Sequence, residues 1–358
     1  MTTIRAAVCH EFGKPLVIQN VQIAAPTGRS LEVTLEACAI CHSDISYAEG
    51  IWGGTLPAVY GHEAAGRITA VGDQVTGYGI GDKVIVTLIR SCGACAPCSS
   101  GTPTGCETPN GPQPLSLANG APLLAAMNCG AFAEKVVVDQ SQIARVPEDM
   151  PSTVASLLSC GVITGIGAVV NAARLRPGQD AVVIGAGGVG LNAIQGARIA
   201  GARRIVAVDM TKEKLADAAE FGATDGVLAT GEAPWREVAD LIGRKADAVF
   251  VTVGAIPAYD LAPRYLAPGG KLVMVGMPAS GATSSYEPDV FASLSQGMVG
   301  SKMGNVVLSR DIPWLVDLYR QRRLKLDELV SKSWPLEQIN EAIADTKSGA
   351  ARRNVIVF

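Results

Sequence analysis

The chain has 358 residues, of which 48% are hydrophobic and 18% are charged, and its 30 basic and 33 acidic side chains leave a net charge of −3. At roughly 150 residues per domain, this length predicts two domains. The apolar content excludes a disordered chain, and the near balance of charge gives no electrostatic reason to expect a nucleic-acid partner.

The first 150 residues are dense in Gly and Pro and contain short β-branched runs. Such runs, bounded by turn residues, predict strands of an antiparallel, barrel-like domain. The predicted strands include residues 32–35, 67–71, 83–87 and 135–138.

Residues 150–173 contain no charged side chain, so this stretch of 24 residues is long enough to resemble a membrane span. It also contains Pro151, three glycines and Asn171, and no second such stretch exists. We therefore expect buried helices at a domain junction and no membrane partner. Because no apolar stretch with a cleavage site opens the sequence, a cytoplasmic protein is predicted.

From residue 181 onward, apolar strands alternate with helical segments. This alternation predicts βαβ units in a parallel sheet with helices on both faces. The predicted strands are 181–184, 205–208, 248–253 and 271–275. Three helices are predicted: one follows the glycine turn and ends at residue 200, and the others cover 212–221 and 258–266. The tail, with helices at 312–322 and 337–346 and a strand at 354–358, is assigned to the first domain.

A glycine-rich turn joins the first of these strands to its helix, and its residues are Gly185, Ala186, Gly187, Gly188, Val189 and Gly190. Without Cβ atoms, the backbone turns tightly and approaches a pyrophosphate at the positive end of the helix. The next strand ends at Asp209, 24 residues after the first glycine, where a carboxylate accepts hydrogen bonds from the adenosine ribose. Asp209 would also repel a 2′-phosphate, and no arginine follows it, so the sequence favours NAD over NADP.

Four of the nine cysteines lie in one loop rich in Gly, Pro and Ser. They are Cys92, Cys95, Cys98 and Cys106, with two, two and seven residues between them. Four thiolates at this spacing can close tetrahedrally around a structural Zn²⁺. An iron-sulfur cluster fits less well, because the bacterial motif has three residues before its last cysteine and a proline after it, whereas this loop has seven residues and then Glu107. Unmetallated thiols are the remaining alternative.

A second, scattered group of candidate ligands contains Cys41, His62 and Cys160. Each has an ordinary explanation alone, as a small core residue or a hydrogen-bonded histidine. Only three histidines occur in the chain, and two of them lie beside a Cys or a Glu in turns. Spacing alone does not join these segments into one site.

Taken together, these motifs resemble those of the zinc-dependent medium-chain alcohol dehydrogenases. The resemblance covers essentially the whole chain and rests on Cys41-His42-Ser43-Asp44, Gly61-His62-Glu63, the four-cysteine loop, Cys160 and the turn from Gly185 to Gly190, in that order. It implies a GroES-like antiparallel β-barrel catalytic domain, residues 1–161 and 305–358, and a doubly wound Rossmann domain that binds NAD, residues 162–304.

The resemblance also implies a catalytic zinc held by Cys41, His62 and Cys160, and therefore two zinc ions per chain. Glu63 is expected as a further or transient ligand, Asp44 as the carboxylate that orients His62, and Ser43 as the first member of the proton relay. Many family members place a histidine at the position of Ser46, so the relay beyond Ser43 is left open.

Further expected contacts concern the cofactor and the substrate. The cofactor residues implied by the resemblance are His42 and Arg353 at the pyrophosphate, Thr164 at the nicotinamide, Lys214 at the ribose, and the backbone near Val275 and Met277 at the carboxamide. The implied substrate pocket contains Trp52, Leu88 and Phe132, with Leu123, Leu124 and Met127 as contributors or as packing residues. A mostly apolar pocket predicts an apolar or aromatic alcohol or aldehyde as the small-molecule substrate.

Two alternative functions stay open at this stage. One is thiol-dependent formaldehyde oxidation, although residues 107–128 contain no Lys or Arg for a glutathione carboxylate. The other is a non-catalytic redox sensor that binds zinc and a dinucleotide. The resemblance further implies a homodimer or a homotetramer.

Overall fold

The computed structural model describes residues 1–358. The chain divides into two compact units, one formed by Met1–Cys160 with Val307–Phe358 and the other by Gly161–Val306.

The first unit begins with ten strands and three short helices. The strands are β1 (Thr2–Cys9), β2 (Val17–Ile23), β3 (Ser30–Ala39), β4 (Ala58–Val59), β5 (Glu63–Val71), β6 (Lys83–Thr87), β7 (Leu115–Leu117), β8 (Pro122–Ala125), β9 (Lys135–Asp139) and β10 (Ile143–Arg145). The helices are α1 (His42–Ala48), α2 (Ala96–Ser99) and α3 (Ser152–Ala155). Single 3₁₀ turns lie at Pro103–Gly105, Ala126–Asn128, Gln140–Gln142 and Ser156–Ser159.

These strands form two sheets. Five of them close a barrel in the order β1-β2-β7-β8-β4, and a second sheet runs β10-β6-β5-β3, with β9 also paired to β3. All pairs except β4 with β8 are antiparallel. The four runs predicted as strands fall within β3, β5, β6 and β9, so they form the antiparallel second sheet, and the small closed barrel beside it is built from other strands.

The second unit contains a single parallel sheet and the helices that connect its strands. Its elements are α4 (Gly161–Gly167), a π-helical turn (Ala168–Ala173), β11 (Asp180–Ile184), α5 (Gly188–Ile199), β12 (Arg204–Asp209), α6 (Lys212–Phe221), β13 (Asp225–Leu228), α7 (Pro234–Ile242), β14 (Ala246–Val251), α8 (Ile256–Leu261), β15 (Leu266–Met274), α9 (Pro288–Ser293) and β16 (Gly297–Gly300). The strand order is β13-β12-β11-β14-β15-β16, and every neighbouring pair is parallel.

The chain reverses its direction of travel across this sheet between β11 and β14, which is the topology of the predicted doubly wound fold. All five residues of β11 are buried, as expected of a central strand covered on both faces. The sequence patterns missed β13 and β16, because each has only four residues and contains glycine.

The tail contributes α10 (Leu308–Arg320), β17 (Val330–Pro335), α11 (Ile339–Ser348) and β18 (Arg353–Val357). Strand β18 pairs antiparallel with β3, matching Val355 with Ala39, and in parallel with β17. This pairing extends the second sheet of the first unit and explains why the tail belongs to that unit.

No single helix is long and apolar enough to cross a membrane. Only the pair Ser152–Ser159 and Gly161–Ala173 reaches the required length and composition, and it is bent by 48° at its break.

Candidate active site

Four buried side chains of the first unit converge on one point. They are Cys41, His62, Glu63 and Cys160, and one potential ligand atom of each lies within 4.8 Å of those of the other three. Strand pairing brings most of them together: Ala39 of β3 pairs with Glu63 of β5, and Cys41 follows two residues after Ala39. The turn before Cys160 is attached to β5 by the hydroxyl of Ser159, which donates to the carbonyl of Ala64 over 3.0 Å.

The carboxylate of Asp44 connects the two segments that carry Cys41 and His62. It accepts hydrogen bonds from the amide of Cys41 at 3.1 Å, from the amide of Gly61 at 2.8 Å, and from Nδ1 of His62 at 2.9 Å. Asp44 is only 1% exposed, so water does not compete for these bonds. The structure thus brings Asp44 to the histidine for which the sequence resemblance implied it.

The other ring nitrogen of His62, Nε2, is buried and has no hydrogen-bond partner. When Nδ1 donates to Asp44, Nε2 carries a lone pair that is directed at the cluster. A buried acceptor without a partner is rare and requires an explanation such as an ion. Sulfur, nitrogen and carboxylate donors in this arrangement fit Zn²⁺.

The two thiols of the cluster are electronically unequal. A hydrogen bond from the Cys160 thiol lowers the pKa of Cys41 well below its usual value, and proximity to His62 acts in the same direction. The same contact and burial raise the pKa of Cys160. Cys41 therefore favours the thiolate form that binds metal.

Arg353 of β18 lies beside the cluster. Its Nη2 is 2.5 Å from Oε2 of Glu63, and both side chains are buried. Burial raises the pKa of Glu63 to about 7 against the opposing charge of Arg353. No sequence motif indicated that Glu63 and Arg353 form a pair. Once Glu63 is known to be buried, a cation beside it is expected, because a buried carboxylate is costly without one.

The remaining predicted residues of this segment lie on or next to α1. The Cys41 Sγ and the Ser43 Oγ are 3.6 Å apart, and Ser46 follows Ser43 by three positions, on the same face of the helix. His42 is exposed. The structure thus brings Ser43 to the cluster and leaves His42 accessible to solvent.

The residues predicted for the substrate pocket differ in accessibility. Trp52 and Leu88 are partly exposed, and Trp52 packs edge-on against Tyr47 with ring centroids 5.0 Å apart. Phe132 is 1% exposed, and its ring packs against Gly61, where a Cβ would lie 2.7 Å from Cδ1. Phe132 thus packs in the core and supports the turn before His62, and its part in the substrate pocket stays a prediction.

The four cysteines of the loop form the second cluster. Their sulfur atoms all lie within 4.8 Å of one another. Cys92 Sγ accepts from the amides of Ala94 and Cys95, both at 3.3 Å, and Cys106 Sγ accepts from the amide of Cys92 at 3.4 Å. Hydrogen bonds from Thr108 and from these two amides lower the pKa of Cys92 to about 5, which suits a thiolate ligand.

In the second unit, the glycines of the turn differ in the space around them. A Cβ at Gly190 would lie 1.8 Å from the carbonyl oxygen of Gly185, and one at Gly185, where φ is +96°, would lie 2.4 Å from Val253. A Cβ at Gly187 would meet nothing within 4 Å. Close packing therefore requires glycine at positions 185 and 190, whereas Gly187 borders open space.

Asp209 closes this turn from the end of β12. Its Oδ2 accepts from the amide of Ala186 at 2.6 Å, and its Oδ1 accepts from the amide of Met210 at 2.7 Å. The carboxylate is partly exposed. Gly188 and Val189 form the first turn of α5, so their amides face the same end of the sheet.

The other predicted cofactor residues of this unit have different surroundings. The Lys214 amide donates to the N-cap hydroxyl of Thr211, and the lysine side chain is partly exposed. Thr164 is buried and contacts Met303 Sδ at 3.7 Å. Val275 donates its amide to Val251, whereas Met277 is exposed.

Comparison with known proteins identifies the family of the chain. Residues 28–148 match the alcohol dehydrogenase GroES-like domain, and residues 188–321 match the zinc-binding dehydrogenase family. An alcohol dehydrogenase of Malus domestica is 33% identical over 367 aligned residues, covering 98% of this chain and 96% of the relative.

Two solved structures have nearly the same fold. An alcohol dehydrogenase zinc-binding domain protein from Burkholderia ambifaria has a TM-score of 0.95 at 32% identity, covering 100% of this chain and 99% of the other. The benzyl alcohol dehydrogenase of Acinetobacter calcoaceticus has a TM-score of 0.94 at 28% identity, covering 100% of both chains. The chain therefore belongs to the zinc-dependent medium-chain alcohol dehydrogenase family.

Proposed function

We propose that this alcohol dehydrogenase transfers hydride between apolar or aromatic alcohols and NAD at a zinc held by Cys41, His62 and Cys160. The observation that carries the proposal is the convergence of these side chains around the unpartnered Nε2 of His62. This is the Cys₂His donor set established for catalytic zinc in alcohol dehydrogenases. When bound, the zinc polarises the substrate oxygen and NAD accepts the hydride.

The chain's own residues have distinct tasks in this proposal. Asp44 fixes the tautomer and the ring orientation of His62. Ser43, beside Cys41, accepts the proton of the substrate hydroxyl and passes it on. Glu63 remains next to the metal as a carboxylate balanced by Arg353, and is available as a further ligand.

The choice of NAD is supported by the surroundings of Asp209. Its carboxylate ends β12 beside the open position at Gly187, and no arginine follows it in sequence. A carboxylate there accepts from ribose hydroxyls and repels a 2′-phosphate.

Apolar substrates are favoured by the partly exposed side chains of Trp52 and Leu88 in the unit that contains the metal cluster. The similar structure from Acinetobacter calcoaceticus is named as a benzyl alcohol dehydrogenase, which agrees with an aromatic substrate. The lack of Lys and Arg from residue 107 to 128 disfavours an acidic glutathione adduct, and hence thiol-dependent formaldehyde oxidation.

A second, structural zinc is proposed for Cys92, Cys95, Cys98 and Cys106. Four sulfur donors leave no vacant position, so this ion would order the loop and take no part in catalysis.

Self-association is proposed through the edge strand β16. This strand pairs with β15 on one side only, and its Met298 exposes part of its side chain. An apolar sheet edge invites pairing with a second copy. Pairing of two such edges would give a homodimer. Met298→Lys should weaken this dimer, so that light scattering reports a lower mean mass than for the unmodified protein.

The proposal is tested by measuring NADH formation on protein with quantified zinc, using aliphatic, aromatic and secondary alcohols, and formaldehyde with and without thiols. Turnover of apolar or aromatic alcohols that requires zinc and prefers NAD supports the proposal. A protein that binds zinc and NADH tightly but shows no turnover in either direction would instead be a sensor, and the proposal would be wrong.

A further inference from the structure

The side chain of Gln142 is buried in the first unit and joins three backbone segments. It lies at the end of the 3₁₀ turn Gln140–Gln142 and is 2% exposed. Its Nε2 donates to the carbonyl of Thr87 at 3.0 Å and to that of Asn128 at 2.9 Å, while its Oε1 accepts from the amide of Asp139 at 3.2 Å. One amide group thus holds the end of β6, the turn Ala126–Asn128 and the start of its own turn.

The turn Ala126–Asn128 is strained. Met127 and Asn128 are two consecutive non-glycine residues with positive φ, at 50° and 59°. Side chains rarely adopt this conformation, and it persists only where surrounding contacts enforce it. Those contacts include the bond from Gln142 to Asn128 and a weaker one of 3.4 Å from Nδ2 of Asn128 to the carbonyl of Leu88.

The end of β6 and the turn Ala126–Asn128, which Gln142 joins, both adjoin the cluster that contains His62 and Glu63. Thr87 is the β6 partner of Glu63 in β5, and Leu88 follows it directly. Three residues after Asn128, the amide of Ala131 donates to the carbonyl of Gly61, which precedes His62. Leu88 and Met127, one in each of these segments, are partly exposed apolar side chains.

We propose that Gln142 is a positioning residue that sets the spacing of Leu88 and Met127, and thereby determines which alcohols the site accepts. This role rests on the proposed function, because it assigns these two side chains to the substrate. Gln142 touches neither substrate nor metal. It acts by binding the carbonyls of Thr87 and Asn128 at once, and so reinforces the direct bond from Asn128 to Leu88.

Gln142→Met tests the role, because methionine keeps the approximate shape and removes the three hydrogen bonds to the backbone. Gln140→Met is the matched control: Gln140 lies in the same turn, but its Oε1 accepts from the amide of Thr76, away from the cluster. Both variants are compared with the unmodified holoenzyme in zinc content, thermal unfolding, and kcat and KM for a series from ethanol to benzyl alcohol and larger aromatic alcohols.

We expect Gln142→Met to change the ratio of kcat/KM between large and small alcohols by about tenfold, mainly through KM, with full zinc content. Gln140→Met should leave that ratio within about twofold, even if it lowers stability equally. A uniform loss for all alcohols in Gln142→Met, or equal ratio changes in both variants, would overturn the proposal.

Hydrogen exchange gives a readout that does not depend on turnover. The amides of Cys129 and Gly130, which both donate to Ala126 across the strained turn, should exchange faster in Gln142→Met than in Gln140→Met. Unchanged exchange would contradict the positioning role even in an active enzyme. Faster exchange in a protein that oxidises no alcohol would retain the positioning of the turn and refute the proposed function and substrate role.

Discussion

The guanidinium of Arg353 and the carboxylate of Glu63 form a buried ion pair at 2.5 Å, although 290 positions separate them in the sequence. Pairing of β18 with β3 brings the arginine there, since β3 also pairs with β5, which begins at Glu63. The C-terminal strand therefore supplies the cation that balances the carboxylate of Glu63. Removing either partner leaves a buried charge without compensation.

Arg353→Met is expected to lower the free energy of unfolding by about 3–5 kcal/mol, because Glu63 would remain buried without its cation. Adding Glu63→Gln should recover part of this loss, since the double variant buries no unpaired charge. The measurement is denaturant unfolding of both variants and of Arg352→Met, a control at the partly exposed neighbouring arginine. An Arg353→Met protein as stable as the control would contradict an energetic role for the pair.

Asp44→Asn should weaken zinc binding at the cluster by about 10–100-fold, since the amide no longer favours the tautomer that leaves a lone pair on Nε2 of His62. Competition with a chelator measures this affinity. Asp73→Asn serves as the control, because Asp73 also accepts a backbone amide, that of Gly28, but is exposed. Equal zinc affinity in the two variants would show that Asp44 does not orient the ligand.

The sequence predicted the parts of the fold and of the site that are local. The parallel sheet was predicted because its central strands are continuous apolar runs, and the four-cysteine cluster because its members lie close along the chain. The roles of Arg353 and Gln142 depend on pairings across β18, β3, β6 and the turn at residues 126–128, which no local pattern encodes. The burial of Phe132 against Gly61 likewise follows from tertiary packing.

Cys95→Ser should lower thermal stability, because a zinc ion with four sulfur ligands contributes directly to folding of its loop. Metal analysis should find about one zinc fewer per chain, with the other ion retained at Cys41, His62 and Cys160. Ser99→Ala, in the same loop, removes only a local bond to Ala96 and should leave both quantities unchanged. Unaltered unfolding of Cys95→Ser despite the missing ion would refute a structural role.

Asp209→Asn should raise KM for NAD by about tenfold and change KM for NADP far less, because a carboxylate at this position would accept from ribose hydroxyls and repel a 2′-phosphate. Asparagine retains an acceptor for the amide of Ala186, so the turn itself should persist. Glu213→Gln removes one exposed negative charge at the start of α6 and controls for the general effect of charge. Equal changes for both cofactors in Asp209→Asn would contradict the ribose contact.

In the turn from Gly185 to Gly190, replacing glycine by alanine should have different effects on stability at two positions. At Gly187, φ is −79° and a Cβ meets nothing within 4 Å, so Gly187→Ala should fold normally. The methyl would, however, occupy the space through which a pyrophosphate approaches the backbone, and the dissociation constant for NADH should rise at least about tenfold.

At Gly190 a Cβ would lie 1.8 Å from the carbonyl oxygen of Gly185, a distance that requires α5 to move away from β11. Gly190→Ala should therefore lose stability and cofactor binding together. Fluorescence titration with NADH and thermal unfolding of both variants separate the two cases. If Gly187→Ala bound NADH as tightly as the unmodified protein, the open position would not be where the cofactor approaches, and the pyrophosphate assignment of this turn would be wrong.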